Sequence, residues 1–469
     1  MTALSIHRLT VPLVFPEGVH PGAGKDGGNR LAIALDGQNR PVLRGTALAG
    51  ALRHAYAGRL GVSAEARPVA RWFGSAFDEA RGERSPLQVA DTVLEAPAEH
   101  MSRRTHNSID RHRGSVREGA LVELAALPPQ TRGTAVLVLE SEAEAEAPRF
   151  LAELLALLDG MTLGGHAARG IGRVALAGPA LYRRYDLRQL AEAAAWLDER
   201  YHRRFAHGSP LPPARSDEGQ VLTVRCVLAI PRGQDLCIGD GQGLEYEIEP
   251  QRVLDAEGRL HWRIPGSSLR GVFRAWITRL AAREGALATD PGRPRSDTLA
   301  AHRERPADGA DILWGRATES QRIEIQDRLA DHPRLLSELV PCPVMRLFGS
   351  GYAKGRLHIS DALARKSDDD NGQPRMHVAV DRITGGANDG FLFSNTVLCD
   401  PQLRFAVTIR IVDPEEREAR WLAACLRALD LGLLRIGSSK AAGRLALAAP
   451  PQATGPHAAV FTALTPSEV

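Results

Sequence analysis

At 469 residues the chain is long enough for two to three domains, each with a core of its own. A hydrophobic content of 43% and a charged content of 25% describe a water-soluble globular protein, and no apolar run reaches membrane-spanning length. The formal net charge of +3 is too weak to announce a polyanion partner by itself.

The choice of basic residue says more. Only four of the 59 basic residues are lysine (Lys25, Lys354, Lys366, Lys440); the rest are arginine, whose planar fork suits phosphate and stacks on bases. A GC-rich genome produces the same bias. The five cysteines (Cys226, Cys237, Cys342, Cys399, Cys425) form no CxxC pair and no Cys–His ligand spacing, so neither structural zinc nor a disulfide framework is expected. The N-terminus alternates through Leu4, Ile6, Leu9 and Val11 and lacks the pattern of a signal peptide, so the expected location is cytoplasmic.

In chain order, a strand-like run from Leu4 to Val11 closes at Pro12 and leads into a Gly-rich loop, Gly18–Asn29. A turn at Asp36-Gly37 precedes Gly45-Thr-Ala-Leu-Ala-Gly-Ala-Leu-Arg53, which opens a helix with Leu48, Leu52, Ala55 and Tyr56 on one face. Phe73-Gly-Ser75 and Ser108-Ile-Asp-Arg-His-Arg-Gly114 follow, the latter in a hairpin-like polar segment. Val122–Leu139 reads as strand. Leu151, Leu154, Leu155 and Leu158 mark a second helix, which ends in the turn Gly164-Gly165-His-Ala-Ala-Arg169-Gly-Ile-Gly-Arg173 before a last strand, Val174–Leu176. His207-Gly-Ser-Pro-Leu-Pro-Pro-Ala-Arg-Ser-Asp217 reads as a flexible linker.

Beyond the linker the same series returns. Gly266-Ser-Ser-Leu-Arg-Gly-Val-Phe-Arg274 repeats the helix start at an offset of 221, and Phe348-Gly-Ser350 repeats the FGS block at 275. Ala379-Val-Asp-Arg-Ile-Thr-Gly385 and Ser439-Lys-Ala-Ala-Gly-Arg-Leu-Ala-Leu447 repeat their counterparts at 271. Four blocks in one order mark a tandem duplication. Strand, helix, strands, helix, strand is the βαββαβ order of a ferredoxin-like fold with inserted loops. The expected class is therefore α+β, with two tandem ferredoxin-like (RRM-like) domains: residues 1–205, a linker over 206–219, and residues 220–469. From Arg53 to Phe73 is 20 residues and from Arg274 to Phe348 is 74, so the second copy carries an insertion at about 285–340, with a helix expected around Gln321–Leu339.

Two motifs suit phosphate. Helix starts offer free N–H groups and a favourable dipole, and here Arg44, Thr46 and Arg53, or Ser267, Ser268, Arg270 and Arg274, surround them. The blander alternative is a capped helix packed closely through Gly50 and Gly271. In the second Gly-rich turn (Gly164, Gly165, and Gly437-Ser438-Ser439-Lys440) positive charge recurs as Arg169/Lys440 and Arg173/Arg444. Asp110-Arg111 with Arg113, and Asp381-Arg382 with Thr384, suggest a protruding ribbon or a local ion pair. No P-loop, dinucleotide fingerprint, GxSxG or HExxH occurs. The fifteen histidines read as scattered, against a repeated histidine catalyst.

Ile264-Pro-Gly-Ser-Ser-Leu-Arg-Gly271, Leu347-Phe-Gly349, Gly355-Arg-Leu-His-Ile-Ser-Asp-Ala362 and Asp381-Arg-Ile-Thr-Gly385 form an ordered set that resembles the RAMP superfamily, specifically backbone subunits of type III CRISPR–Cas effector complexes. The first copy is more worn, and the fusion of two units is similar to the III-D branch. The resemblance implies that each domain cradles CRISPR RNA, with a thumb that interrupts the guide–target duplex. It implies as partners CRISPR RNA, target single-stranded RNA, and other RAMP and large subunits, with no membrane. In catalytic members an acid in the loop after the first strand cleaves target RNA with a divalent metal, Mg²⁺ or Mn²⁺. Here that points to Asp26, as catalytic and metal-holding residue, and in the second copy to Glu249 among Asp240, Glu245, Glu247 and Glu249. A catalytically silent scaffold of the same complex, and a stand-alone RAMP endoribonuclease maturing precursor guide RNA, are the competing readings.

Overall fold

The computed structural model describes the chain outside residues 1–4, 26–29, 63, 65, 76–83, 98–99, 107–121, 144, 165–169, 203–204, 206, 215–220, 240–246, 287–341, 350–354, 367–371, 438–442 and 468–469, and gives backbone alone at 25, 30, 247 and 388–393. The expected 285–340 insertion, with its Gln321–Leu339 helix, thus falls almost wholly outside the described residues, as does the first Asp-Arg block.

The protein is a mixed α/β molecule built on two large sheets of matching order. In the first half the strands lie side by side as Ala180–Asp186, Ser5–Phe15, Thr131–Ser141, Thr92–Glu95 and Val42–Leu43. In the second half the corresponding series is Gln452–Thr454, Val221–Ala229, Phe405–Val412, Ala362–Arg365 and Leu260–Ile264. The register is antiparallel throughout the centre, with Leu9 opposite Leu137 and Val224 opposite Ile409. Period-2 alternation sends Leu9, Val11, Leu13 and Phe15 to one face, where helices Gly45–Leu60 and Ala147–Leu158 cover them. Trp72 stacks on Phe150 there, with ring centroids 4.5 Å apart. Helices Gly266–Arg283 and Glu416–Asp430 do the same in the second half, over Trp262 and Phe405, with Trp421 of the latter helix in the same core.

Several expected elements are divided. The run Val122–Leu139 is two strands, Val122–Ala126 and Thr131–Ser141, because Pro128 and Pro129 lack the N–H a ladder needs and Gln130 takes a positive φ of 67°. In the second copy the strands Ala387–Val397 and Phe405–Val412 are likewise separated by a turn holding Asp400-Pro401. The Gly-rich loop after the first strand contains a strand of its own, Gly22–Lys25, paired with Arg30–Ile33. The expected linker is also partly ordered: Ser209–Leu211 is an edge strand on Ala180–Asp186, and a helix, Leu190–His202, ends just before the linker. Pro210 is tolerated there because an edge leaves one side of the ladder unpaired.

Two ribbons leave the sheets: Ser102–His106 with Val122–Ala126, and Gln373–Val380 with Ala387–Val397. No helix among the described residues is long and apolar enough to cross a membrane.

Candidate nucleic-acid interface

Both helix starts are built alike. The first helical N–H of each donates to an aspartate in the turn between two short strands: Gly45 to Asp91 Oδ1 at 2.7 Å, and Gly266 to Asp361 Oδ1 at 2.9 Å. Glycine is required at both positions because a Cβ would run into the carbonyl oxygen of Val89 or Ile359. What lies on the other oxygen differs. Arg44 of the same copy pairs with Asp91 Oδ2 at 2.9 Å, half exposed, whereas Asp361 Oδ2 receives Arg104 of the first copy at 2.6 Å, fully buried.

The helix faces above these starts are open. Thr46 and Gly50 are exposed, and Gly271 is exposed one turn beyond Ser267 and Ser268. A Cβ built on Gly50 or Gly271 meets nothing within 4 Å among the described residues, so close packing against them is not the reason for those glycines. A mid-helix glycine costs about 1 kcal/mol relative to alanine, and among the described residues no neighbouring atom requires either one.

Not every arginine of the motif faces outward. Arg53 donates to the Ala64 carbonyl at 3.0 Å, bracing the helix against the turn that follows it. Arg270 donates to the carbonyls of Leu357 and Phe348 and lies over the Phe348 ring. Arg274 is partly buried along the same helix.

The glycine turns have a clear packing reason. Gly164 (φ 83°) and Gly437 (φ 125°) occupy the left-handed region, and a Cβ on either would strike the carbonyl oxygen of His20 or Cys237. Gly172 N–H donates to Gly18 O, and Gly443 N–H to Asp235 O, so each turn is strapped to the loop after its first strand. Arg173 donates to Glu17 at 2.8 Å. Burial pushes the Glu17 carboxyl above its usual range despite the opposing pull of Arg173. Arg444 packs beside Gly432, bridged through the backbone to Arg435. Gly165, Arg169, Ser438, Ser439 and Lys440 lie outside the described residues.

The two motifs meet across the copies. Gly170 of the first copy's turn approaches Asp361 so closely that a Cβ would stand 2.7 Å from Oδ1. The first glycine turn therefore sits at the second copy's helix start. Thr162, Ile171, Arg173, His358, Thr408 and Arg410 line a cavity of about 20 Å³ at this joint.

At the second ribbon's tip Asp381 accepts from the N–H groups of Ile383 and Thr384, both at 2.8 Å, and these bonds hold its carboxyl below the usual range. Arg382 and Thr384 are exposed there. Arg111 and Arg113 lie outside the described residues. Asp26, Asp240 and Glu245 do too, and Glu247 is described by backbone only, in strand Glu247–Ile248. Glu249 is exposed and pairs with Arg252 at 2.7 Å. Among the described residues no three His, Cys, Asp or Glu side chains group as metal ligands, and Asp26, the expected metal holder, is not one of them.

Sequence reasoning missed one matched pair. Arg104 and His106 recur as Arg375 and His377 at the same offset of 271 as the Asp-Arg blocks, on equivalent ribbon strands. The histidines are thus not all scattered. The signal was present six and four residues before each Asp-Arg block, and was hidden because the neighbours (Thr105/Met376, Asn107/Val378) share no chemistry.

A family model of the RAMP superfamily matches residues 13–175 and 235–444, one block in each copy. No curated protein matches the chain. The two matched blocks span most of the sequence and contain the helix starts, glycine turns and ribbons just described: the chain belongs to the RAMP superfamily.

Proposed function

We propose that this protein is a tandem backbone subunit of a type III CRISPR effector complex, with two ferredoxin-like domains that hold guide RNA along their helix starts and glycine turns. Superfamily membership points to a CRISPR-associated RNA-binding role alongside other Cas subunits. The observation that carries the reading is Gly50 and Gly271. Both are exposed, both stand mid-helix at a propensity cost, and neither is demanded by packing among the described residues. A sugar–phosphate chain lying over the first turn gives them a reason, since the missing Cβ lets the backbone of one polymer approach the other. Recognition of this kind reads phosphates and 2′-hydroxyls and is indifferent to sequence.

The ribbon carrying Arg382 serves as the thumb that interrupts the guide–target duplex. Target cleavage is assigned to Asp26, with Glu249 as the second-copy candidate and Mg²⁺ as the ion. Asp26 would hold the ion, which when bound would supply charge neutralisation at the scissile phosphate. The exposed Glu249–Arg252 pair favours a second reading in which the second copy binds without cutting.

The test uses the assembled complex and labelled target RNA with Mg²⁺. Asp26→Ala is expected to abolish one set of cuts while guide RNA binding persists, and Glu249→Ala to leave the pattern unchanged if the second copy is silent. Unchanged cutting in Asp26→Ala rejects the catalytic assignment. Metal-independent cleavage of repeat RNA by the chain alone, lost in His106→Ala or His377→Ala, would replace it with guide maturation.

A further inference from the structure

The contact between the two copies is a template for what the chain offers at its ends. Across it, Arg104 on the first ribbon reaches Asp361, and Arg410 on the second sheet's uncovered face donates to the Gly160 carbonyl just after the first copy's second helix. Each participant has a counterpart in the other copy, so both outer ends can be compared with the joint.

At the first copy's end the receiving features are closed. Asp91, the counterpart of Asp361, already holds Arg44, and the second copy has Pro265 where Arg44 stands. Val138 is the counterpart of Arg410: the backbone bonds Ala90 N–H to Val136 O and Ser360 N–H to Thr408 O fix that equivalence. Val138 packs into a cluster with Ile6, Tyr185 and Trp196, beneath helix Leu190–His202. That helix is pinned by Glu199, which accepts from Arg8 at 2.6 Å and from Tyr185 at 2.5 Å.

At the second copy's end the donating features stand open. Arg375, the counterpart of Arg104, is 46% exposed and rests on Asp235 at 3.2 Å. Leu431 follows Asp430 as Gly160 follows Asp159, the two aspartates accepting from the equivalent N–H groups of Leu447 and Leu176. Leu431 is 48% exposed, and Leu433, in a turn two residues longer, is 62% exposed. Apolar side chains thus face outward where the first copy buries its equivalent turn against its neighbour, as an unfilled interface does.

We propose that the chain stacks in one direction only. The Arg375–Leu431–Leu433 face docks a RAMP-type unit of a different chain, one presenting a carboxylate bonded to the first N–H of its first helix. The first copy's receiving face is covered by helix Leu190–His202, and its carboxylate, Asp91, is engaged by Arg44. A second copy of this chain cannot serve as the partner, because its own receiving face is the capped one. The proposal rests on the reading of the protein as a subunit of an RNA-guided complex.

The test places a photoreactive benzoylphenylalanine at position 431 or at exposed position 47, in the first turn of the first helix, in the complex purified with its neighbouring RAMP-encoding genes. Position 431 is expected to cross-link to the segment leading into the first helix of another RAMP chain, and position 47 to no protein ribbon. Leu431→Glu with Leu433→Glu should lower retention of that neighbour on the order of tenfold with the circular dichroism spectrum unchanged. The chain alone should remain monomeric by light scattering. A ribbon captured at position 47, capture at 431 of RNA only or of this same chain, or no RAMP chain retained each overturns the proposal. If guide RNA is still bound in those cases, the stacking direction fails while the RNA-binding reading stands. Loss of guide RNA as well rejects both.

Discussion

Arg104 and Asp361 stand 257 residues apart in sequence and 2.6 Å apart in space, with both side chains almost wholly removed from water. Asp361 uses its other oxygen to hold the first N–H of helix Gly266–Arg283, so one carboxylate joins the two copies and anchors a helix. Removing one partner from a buried ion pair leaves an uncompensated charge, at a cost of about 3–5 kcal/mol. Asp361→Ala should therefore lower the chemical-denaturation midpoint strongly. Arg104→Met with Asp361→Asn should recover part of the loss, because both charges of the pair go together while the amide oxygen still accepts from the Gly266 N–H.

Gly50→Ala and Gly271→Ala separate fold from ligand. Both sites are open, so each substitution should raise thermal stability, by about 0.5–1 kcal/mol per site. Guide RNA affinity, measured by filter binding, should fall at the same time. A gain in stability with unchanged affinity would remove the main support for RNA lying over the helix starts.

Gly164→Ala has the opposite expectation. Its φ of 83° and the His20 carbonyl facing it leave no room for a methyl group, so a cost of roughly 1–3 kcal/mol is expected in thermal unfolding. Gly437→Ala should behave alike against Cys237.

Arg382 and Arg270 carry the same charge in different settings. Arg382 is exposed at the ribbon tip, while Arg270 holds two backbone carbonyls. Arg382→Ala should weaken RNA binding, reduce the slope of log affinity against log salt by about 1, and leave stability unchanged. Arg270→Ala should lower stability with little change in that slope.

Asp36 tests the turn before the first helix. Hydrogen bonds from the backbone and side chain of Arg40, together with the Gln38 N–H at 2.8 Å, hold its carboxyl down at about 2. A depressed carboxyl contributes stability that is fully present above its unfolded value of 3.8 and is lost as pH falls through about 2. Asp36→Asn should melt lower than the parent near neutral pH, and the two melting curves should converge as pH approaches about 2.

The sequence by itself determined the duplication, the α+β class, the helix starts and the glycine turns. These depend on local patterns: alternation in Leu9 to Phe15, the helical spacing of Leu151 to Leu158, and glycines at positions whose backbone geometry excludes other residues. It did not separate Arg270 and Arg53, which brace their own helices, from Arg382, which faces outward, because an arginine's direction is set by carbonyls distant in the chain. It also read Ser209–Leu211 as linker, since an edge strand with one proline carries too weak a period. Only the tertiary structure decided that Asp361 takes its arginine from the other copy while Asp91 takes one from its own, and that helix Leu190–His202 closes one sheet face. The two copies have similar sequences and unequal neighbours, and burial against a neighbour is a property of the assembled chain, not of any local segment.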